Sequence, residues 1–137
     1  MRSKMENIFK TVIGISGGAI SYLIGGWTAL LGVLLAFVII DYGTGVAAGA
    51  TEGNLSSEIG FRGIFRKVCI FVVIAVAHLV DIALGQGNFF RDAAVFFYIA
   101  NELISITENI GEIGLPLPPG VSRAIKILQQ KGDNDEK

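Results

Sequence analysis

The sequence predicts an all-α integral membrane protein: a small bundle of three to four transmembrane helices followed by a short C-terminal amphipathic helix. Two observations predict it. Of the 137 residues, 52% are hydrophobic and only 17% charged, where a soluble domain carries about 25% charged residues. The deficit is also concentrated in long uncharged segments. The longest, Thr11 to Ile40, has no Asp, Glu, Lys, Arg or His. About twenty apolar residues at ~1.5 Å rise cover a hydrocarbon core of ~30 Å. A chain this short has no room for an aqueous core as well as several spans.

Residues 1–10 form a basic N-terminal segment, with Arg2, Lys4 and Lys10 against Glu6. No short apolar core with a small-residue cleavage site follows, so no removable signal peptide is expected. The transmembrane helical domain is expected over 11–110, with helices at about 11–24, 27–50, 67–84 and 89–110. Gly25-Gly26-Trp27 divides the first uncharged stretch. Its first part, 11–24, is only about 21 Å long as a helix. Gly17, Ser21 and Gly25 recur there every four residues, a small-xxx-small face that lets helix backbones approach closely in lipid.

The segment 27–50 is the strongest span. Trp27 suits an interface, Asp41 interrupts the apolar run, and Gly45 and Gly49 form a GxxxG pair. Residues 51–66 read as a polar loop, in which Ser56-Ser57 can cap a short helix holding Glu58, Arg62 and Arg66. The span 67–84 is interrupted by His78 and Asp81. Gly85-Gln86-Gly87-Asn88 is a tight turn, so the next helix must return antiparallel.

On 89–110, Tyr98, Asn101, Glu102, Ser105, Glu108 and Asn109 fall within about 120° of arc at helical pitch. Such a stripe cannot face lipid. It is either an internal polar seam or a face that lines water in an oligomer. Over 111–131, Gly114 to Gly120 with its three prolines breaks the helix. An amphipathic helix then places Val121, Ala124, Ile125 and Leu128 together, with Arg123, Lys126 and Lys131 elsewhere, which suits a membrane surface. Residues 132–137 are a charged tail expected to be disordered.

Charge sets the expected topology. Four crossings put Arg2, Lys4, Lys10, Arg62, Arg66, Lys67, Arg123, Lys126, Lys131 and Lys137 on one side and Arg91 alone on the other. A single crossing within 11–50 makes the split seven to four. The count favours four crossings with both termini cytoplasmic, while the shortness of 11–24 argues against it as a full span.

Ionisable groups at membrane depth need partners. Asp41 is expected to pair with Arg62, Arg66 or Lys67, and Asp81 with Arg91. His78 has no second ligand type nearby, so no metal is expected, and lone Cys69 reads as a small buried hydrophobe. No acid–base dyad, nucleophile–base pair or phosphate loop appears, so no catalytic residues and no cofactor are expected. A net charge of −1 gives no basic excess for nucleic acid.

The order and spacing of several residues resemble one known family. They run from Asp41-x-x-Thr44-Gly45, through Ser56-Ser57-x-x-Gly60-x-x-Gly63-x-x-Arg66-Lys67, to Asp81. They continue with Asn101-Glu102, Glu108-Asn109 and Gly114-x-Pro116-x-Pro118. The chain resembles, over about 27–128, the phage lysis holins of the family that includes clostridial toxin-secretion holins. The resemblance implies a homo-oligomer in the host cytoplasmic membrane that opens large holes at a timed moment. It implies functional coupling to a muralytic enzyme without required direct contact, and a possible antiholin. Met1 and Met5 offer two starts that differ by the cations Arg2 and Lys4. The competing readings are a small ion channel or transporter subunit using Asp41, Asp81 and Glu102, and a scaffold or antiholin with no pore of its own.

Overall fold

A computed structural model describes residues 1–135. Five helices follow in order: α1 (Arg2–Ile24), α2 (Ala29–Glu52), α3 (Ser57–Leu84), α4 (Phe89–Ile113) and α5 (Pro119–Asp135), with no strand among the described residues. Three of them, α1, α2 and α3, are long and apolar enough to cross a membrane. At 25 residues, α4 is as long, but it carries Arg91, Asp92, Glu102, Glu108 and Glu112.

The helix limits follow from capping. Each of α1 to α4 stops at a glycine in the left-handed region: Gly25, Gly53, Gly85 and Gly114. Thr28 Oγ1 accepts from the Leu31 N–H at 3.3 Å to start α2. Ser56 Oγ accepts from the Ile59 N–H at 3.2 Å to start α3. Pro119 opens α5, where its missing N–H costs no helical bond.

Several boundaries differ from those read in the sequence. α1 begins at Arg2, because nothing in 2–10 breaks a helix, and the basic segment is its first turns. At 23 residues it is about 34 Å long and a candidate span by length and composition, although its uncharged part, 11–24, is unchanged. α3 begins at Ser57 instead of 67, because the Ser56 cap nucleates a helix that continues unbroken into the apolar run. The loop expected over 51–66 shrinks to a turn. α4 extends to Ile113 and α5 to Asp135, so residues 132–135 of the expected tail are helical. Glu136 and Lys137 lie outside the described residues.

The most polar long helix is the hub. α4 packs most extensively along α2 and next along α3, while α1 touches α3 only near its own C-terminal end. Ile24, Leu31, Leu34, Val38, Ile70, Ile74 and Val95 form one buried apolar cluster in the half of the bundle nearest the α1–α2 and α3–α4 turns. Ala48, Ile106 and Ile125 are buried apart from it, while many other apolar side chains point outward, among them Ile39, Val72, Val76, Phe96 and Phe97. Exposed apolar surface on this scale is expected of helices solvated by lipid. α1 is the extreme case, since only Ile24 of it is buried. Gly17 has no neighbour within 4 Å of where a Cβ would stand, so that end of the small face expected on α1 is unpacked within the protomer.

Candidate functional site

Asp41, Lys67 and Glu102 come from three different helices and meet in the bundle interior. They lie about 18, 15 and 20 Å along α2, α3 and α4 from the helix starts. Lys67 Nζ donates to Asp41 Oδ2, and to Glu102 Oε2 at 2.6 Å. The side chains of Asp41 and Glu102 are 6% and 4% exposed, and that of Lys67 is 17% exposed. One ammonium thus serves two carboxylates in a place where unpaired charge is costly.

The network continues on the other edge of Asp41. Asn109 Nδ2 donates to Asp41 Oδ1 at 2.8 Å and lies 3.0 Å from Thr44 Oγ1. The Thr44 hydroxyl in turn donates to the Ile40 carbonyl at 2.8 Å. A Cβ on Gly45 would stand 3.5 Å from Asn109 Nδ2, so Gly45 lies directly under that side chain. Gly49 faces Leu55 of the following turn. Tyr42 lies over Gly60 and Gly63 of α3. These contacts bring α2 and α3 together beside Lys67.

Of the three cations considered for Asp41, Lys67 is the one that meets it. Arg62 instead pairs with Glu58 at 3.1 Å on the exposed face of α3, both side chains 77% exposed. Arg66 is exposed. The polar stripe of α4 divides. Tyr98, Glu102, Ser105 and Asn109, spaced four, three and four residues apart, are buried or half-buried, while Asn101 and Glu108 are exposed. Tyr98 packs against the apolar cluster and is not in the polar network. An arc of about 120° is wide enough to straddle two faces of a helix.

The expected Asp81–Arg91 pair does not form. Asp81 is fully buried. Its carboxylate accepts the backbone N–H groups of Phe90 at 2.8 Å and Arg91 at 2.9 Å. Those are first-turn donors of α4 with no partner inside the helix. The Arg91 guanidinium turns to α1, donating from Nη1 to the Gly25 carbonyl at 2.8 Å and the Ile24 carbonyl at 3.3 Å. It also pairs with Asp92 at 3.1 Å. A carboxylate at one helix N-terminus and a guanidinium at another helix C-terminus both complement the local dipole. Gly25, expected on a packing face, is instead the α1 stop, with φ +80. A Cβ there would fall 2.6 Å from the His78 ring and 2.7 Å from Arg91 Nη1. Sequence reasoning missed this joint, which links residues 66 and 67 positions apart.

Cys69 is half-buried and free. No group of His, Cys, Asp and Glu among the described residues is arranged to hold a metal ion. Met1, just ahead of α1, and Met5, within it, are both exposed.

A family model described as the bacteriophage holin family matches residues 18–130. An uncharacterised protein of Halalkalibacterium halodurans is 46% identical over 137 residues, covering 96% of this chain and all of its own. A 14.9 kDa protein of Clostridium perfringens is 40% identical over 131 residues, covering 93% of this chain and 99% of its own. A protein of Bacillus phage phi105 that bears the name "probable holin" is 35% identical over 117 residues, covering 85% of this chain and 84% of its own. No solved structure matches the chain.

Proposed function

The chain belongs to the bacteriophage holin family, and from that premise we propose how it makes its hole. The protein accumulates in the host cytoplasmic membrane as a multi-pass protomer with four crossings and both termini in the cytoplasm. Copies associate there, and at a set moment they rearrange into a large hole. A separately folded muralytic enzyme then reaches the cell wall without having to touch the holin. No step requires catalysis by this chain.

One observation carries the reading: the inward face of α4 is polar, and its Glu102 and Asn109 are engaged by its own protomer. Glu102 and Asn109 are held by Lys67 of α3 and by Asp41 and Thr44 of α2. A closed protomer can therefore live in lipid with that face hidden. Opening requires partners of equal polarity, and these are water and the same groups on neighbouring copies. Two packings of one sequence, separated by exchange of these bonds, make a switch. The exposed apolar surface of α1 offers contact area for neighbours without disturbing α2, α3 and α4.

Inducing the chain in cells that hold a cytoplasmic muralytic enzyme tests the reading. Abrupt lysis with release of cytoplasmic proteins is the expected outcome. Selective ion flux without lysis would indicate a channel or transporter, and neither effect a scaffold or antiholin.

A further inference from the structure

A cavity of about 290 Å³ opens beside the Asp41–Lys67–Glu102 cluster. It starts at the α2–α3 turn, where Asn54 and Ser56 line it, and reaches inward to Asp41, Lys67, Ser105 and Asn109. The lining is mostly apolar, from Val46, Leu55 and Ile59 among others, with its polar groups gathered at the inner end and at the turn; a space of this size has room for several waters at roughly 30 Å³ each. Beyond the cluster the bundle is closed by the fully buried Leu34, Ile74 and Val95. The cluster therefore lies at the inner end of a cleft that begins at the α2–α3 turn, while a second, wholly apolar cavity lined by Val38, Ile64 and Phe71 meets Lys67 from the other side.

The charges facing that inner end can be counted. α2 supplies Asp41 and the phenol of Tyr42, and α3 supplies Lys67 and Arg66, all lining the cavity. Arg66 is exposed and makes no salt bridge among the described residues. α4 supplies Glu102, which reaches the cavity floor through Lys67, and the neutral Ser105 and Asn109. Glu108 of α4 is exposed. Neither α1 nor α5 contributes a described residue to the lining. The desolvated set is thus two carboxylates and one ammonium. With both acids ionised it carries −1, and one added proton makes it neutral.

We infer that Asp41, Lys67 and Glu102 form a proton-binding site, filled and emptied from the side of the α2–α3 turn, where the cleft carries its polar groups. The step is simple: hydronium in the cavity gives its proton to a carboxylate oxygen of the Asp41–Glu102 pair and leaves as water, and the reverse step unloads it. Loaded, the three helices share a neutral seam. Unloaded, they enclose an unbalanced charge that lipid penalises, which favours separation of α4 from α2. The site does not depend on the hole-forming reading, because its test needs no hole.

The test uses the full chain in lipid nanodiscs and infrared difference spectra as the pH is stepped. One protonated carboxyl band per protomer should titrate in addition to those of the exposed acids. Glu102→Gln and Asp41→Asn should each abolish it, since either leaves a neutral pair. Lys67→Met should increase it about twofold, since both acids then take protons. A wild-type protein without that additional band, or a band that survives both neutralising variants, overturns the site. Ser105→Cys in a Cys69→Ser background keeps every acid and tests the access route. It should react with a water-soluble thiosulfonate reagent at least about tenfold faster than the lipid-facing Val76→Cys, and only from the α2–α3-turn side of oriented vesicles. Equal rates, or reaction from the opposite side, overturn the one-sided access.

Discussion

Replacing Lys67 with Met removes the single ammonium shared by Asp41 and Glu102 while keeping a similar apolar stem. Both carboxylates are at most 6% exposed, so the few waters the cavity can hold do not replace the lost ammonium. Breaking a buried pair by deleting one member costs about 3–5 kcal/mol. At about 1.4 kcal/mol per tenfold, that is roughly two to nearly four orders of magnitude in the folding equilibrium. Acidification, by protonating the orphaned acids, recovers part of the loss. The triple variant Asp41→Asn, Lys67→Met, Glu102→Gln has no charge to leave unpaired and should recover most of it. Reversible unfolding in mixed micelles titrated with a denaturing detergent measures all of these. In cells, Lys67→Met at normal accumulation should lyse early. A single variant within about 0.5 kcal/mol of wild type, the range of ordinary surface changes, would refute the claim that Lys67 holds the closed bundle together.

The other predictions concern the opposite end of the bundle and the N-terminus. Gly25→Ala places a Cβ 2.6 Å from the His78 ring and forces a left-handed alanine, which alone costs about 1–2 kcal/mol. It should loosen α1, seen as a broadened α1–α3 distance between spin labels. Asp81→Ala orphans the Phe90 and Arg91 N–H groups and should cost about 0.5–2 kcal/mol, with Asp81→Asn milder, by the same micelle titration. Met1→Leu and Met5→Leu forms, expressed separately, should lyse at different times if Arg2 and Lys4 restrain α1. Identical timing removes that idea.

The long helices and their antiparallel order were legible because hydropathy and glycine stops are local signals. Asp41 and Glu102 stood out for the same reason, since charge inside an apolar run is visible in one dimension. Which cation meets Asp41 was not visible. Arg62, Arg66 and Lys67 lie within two helical turns, and their phase relative to α2 depends on Tyr42 seating against Gly60 and Gly63. The start of α3 was placed too late because residues 57–66 are polar in composition, yet a capped helix crosses that change without a break. Asp81 and Arg91 looked like a pair because opposite charges across a short turn invite one. Backbone donors of α4 and carbonyls of α1 took both instead, and helix-end groups cannot be weighed from sequence until the ends are placed. The α4 stripe was read as one face, but only positions 102, 105 and 109 turn toward the α2–α3 cavity and its cluster.

The central claim is that the polar face of α4 must leave α2 for the hole to form. A disulfide between Gly45→Cys and Asn109→Cys in a Cys69→Ser background tests it most directly. A Cβ on Gly45 would lie 4.0 Å from Asn109 Cγ, within reach of a bridge after small side-chain adjustment. With a muralytic enzyme in the cytoplasm, the oxidised protein should accumulate without lysis, and adding a reductant should release abrupt lysis. Lysis on schedule with the bridge intact would contradict the account.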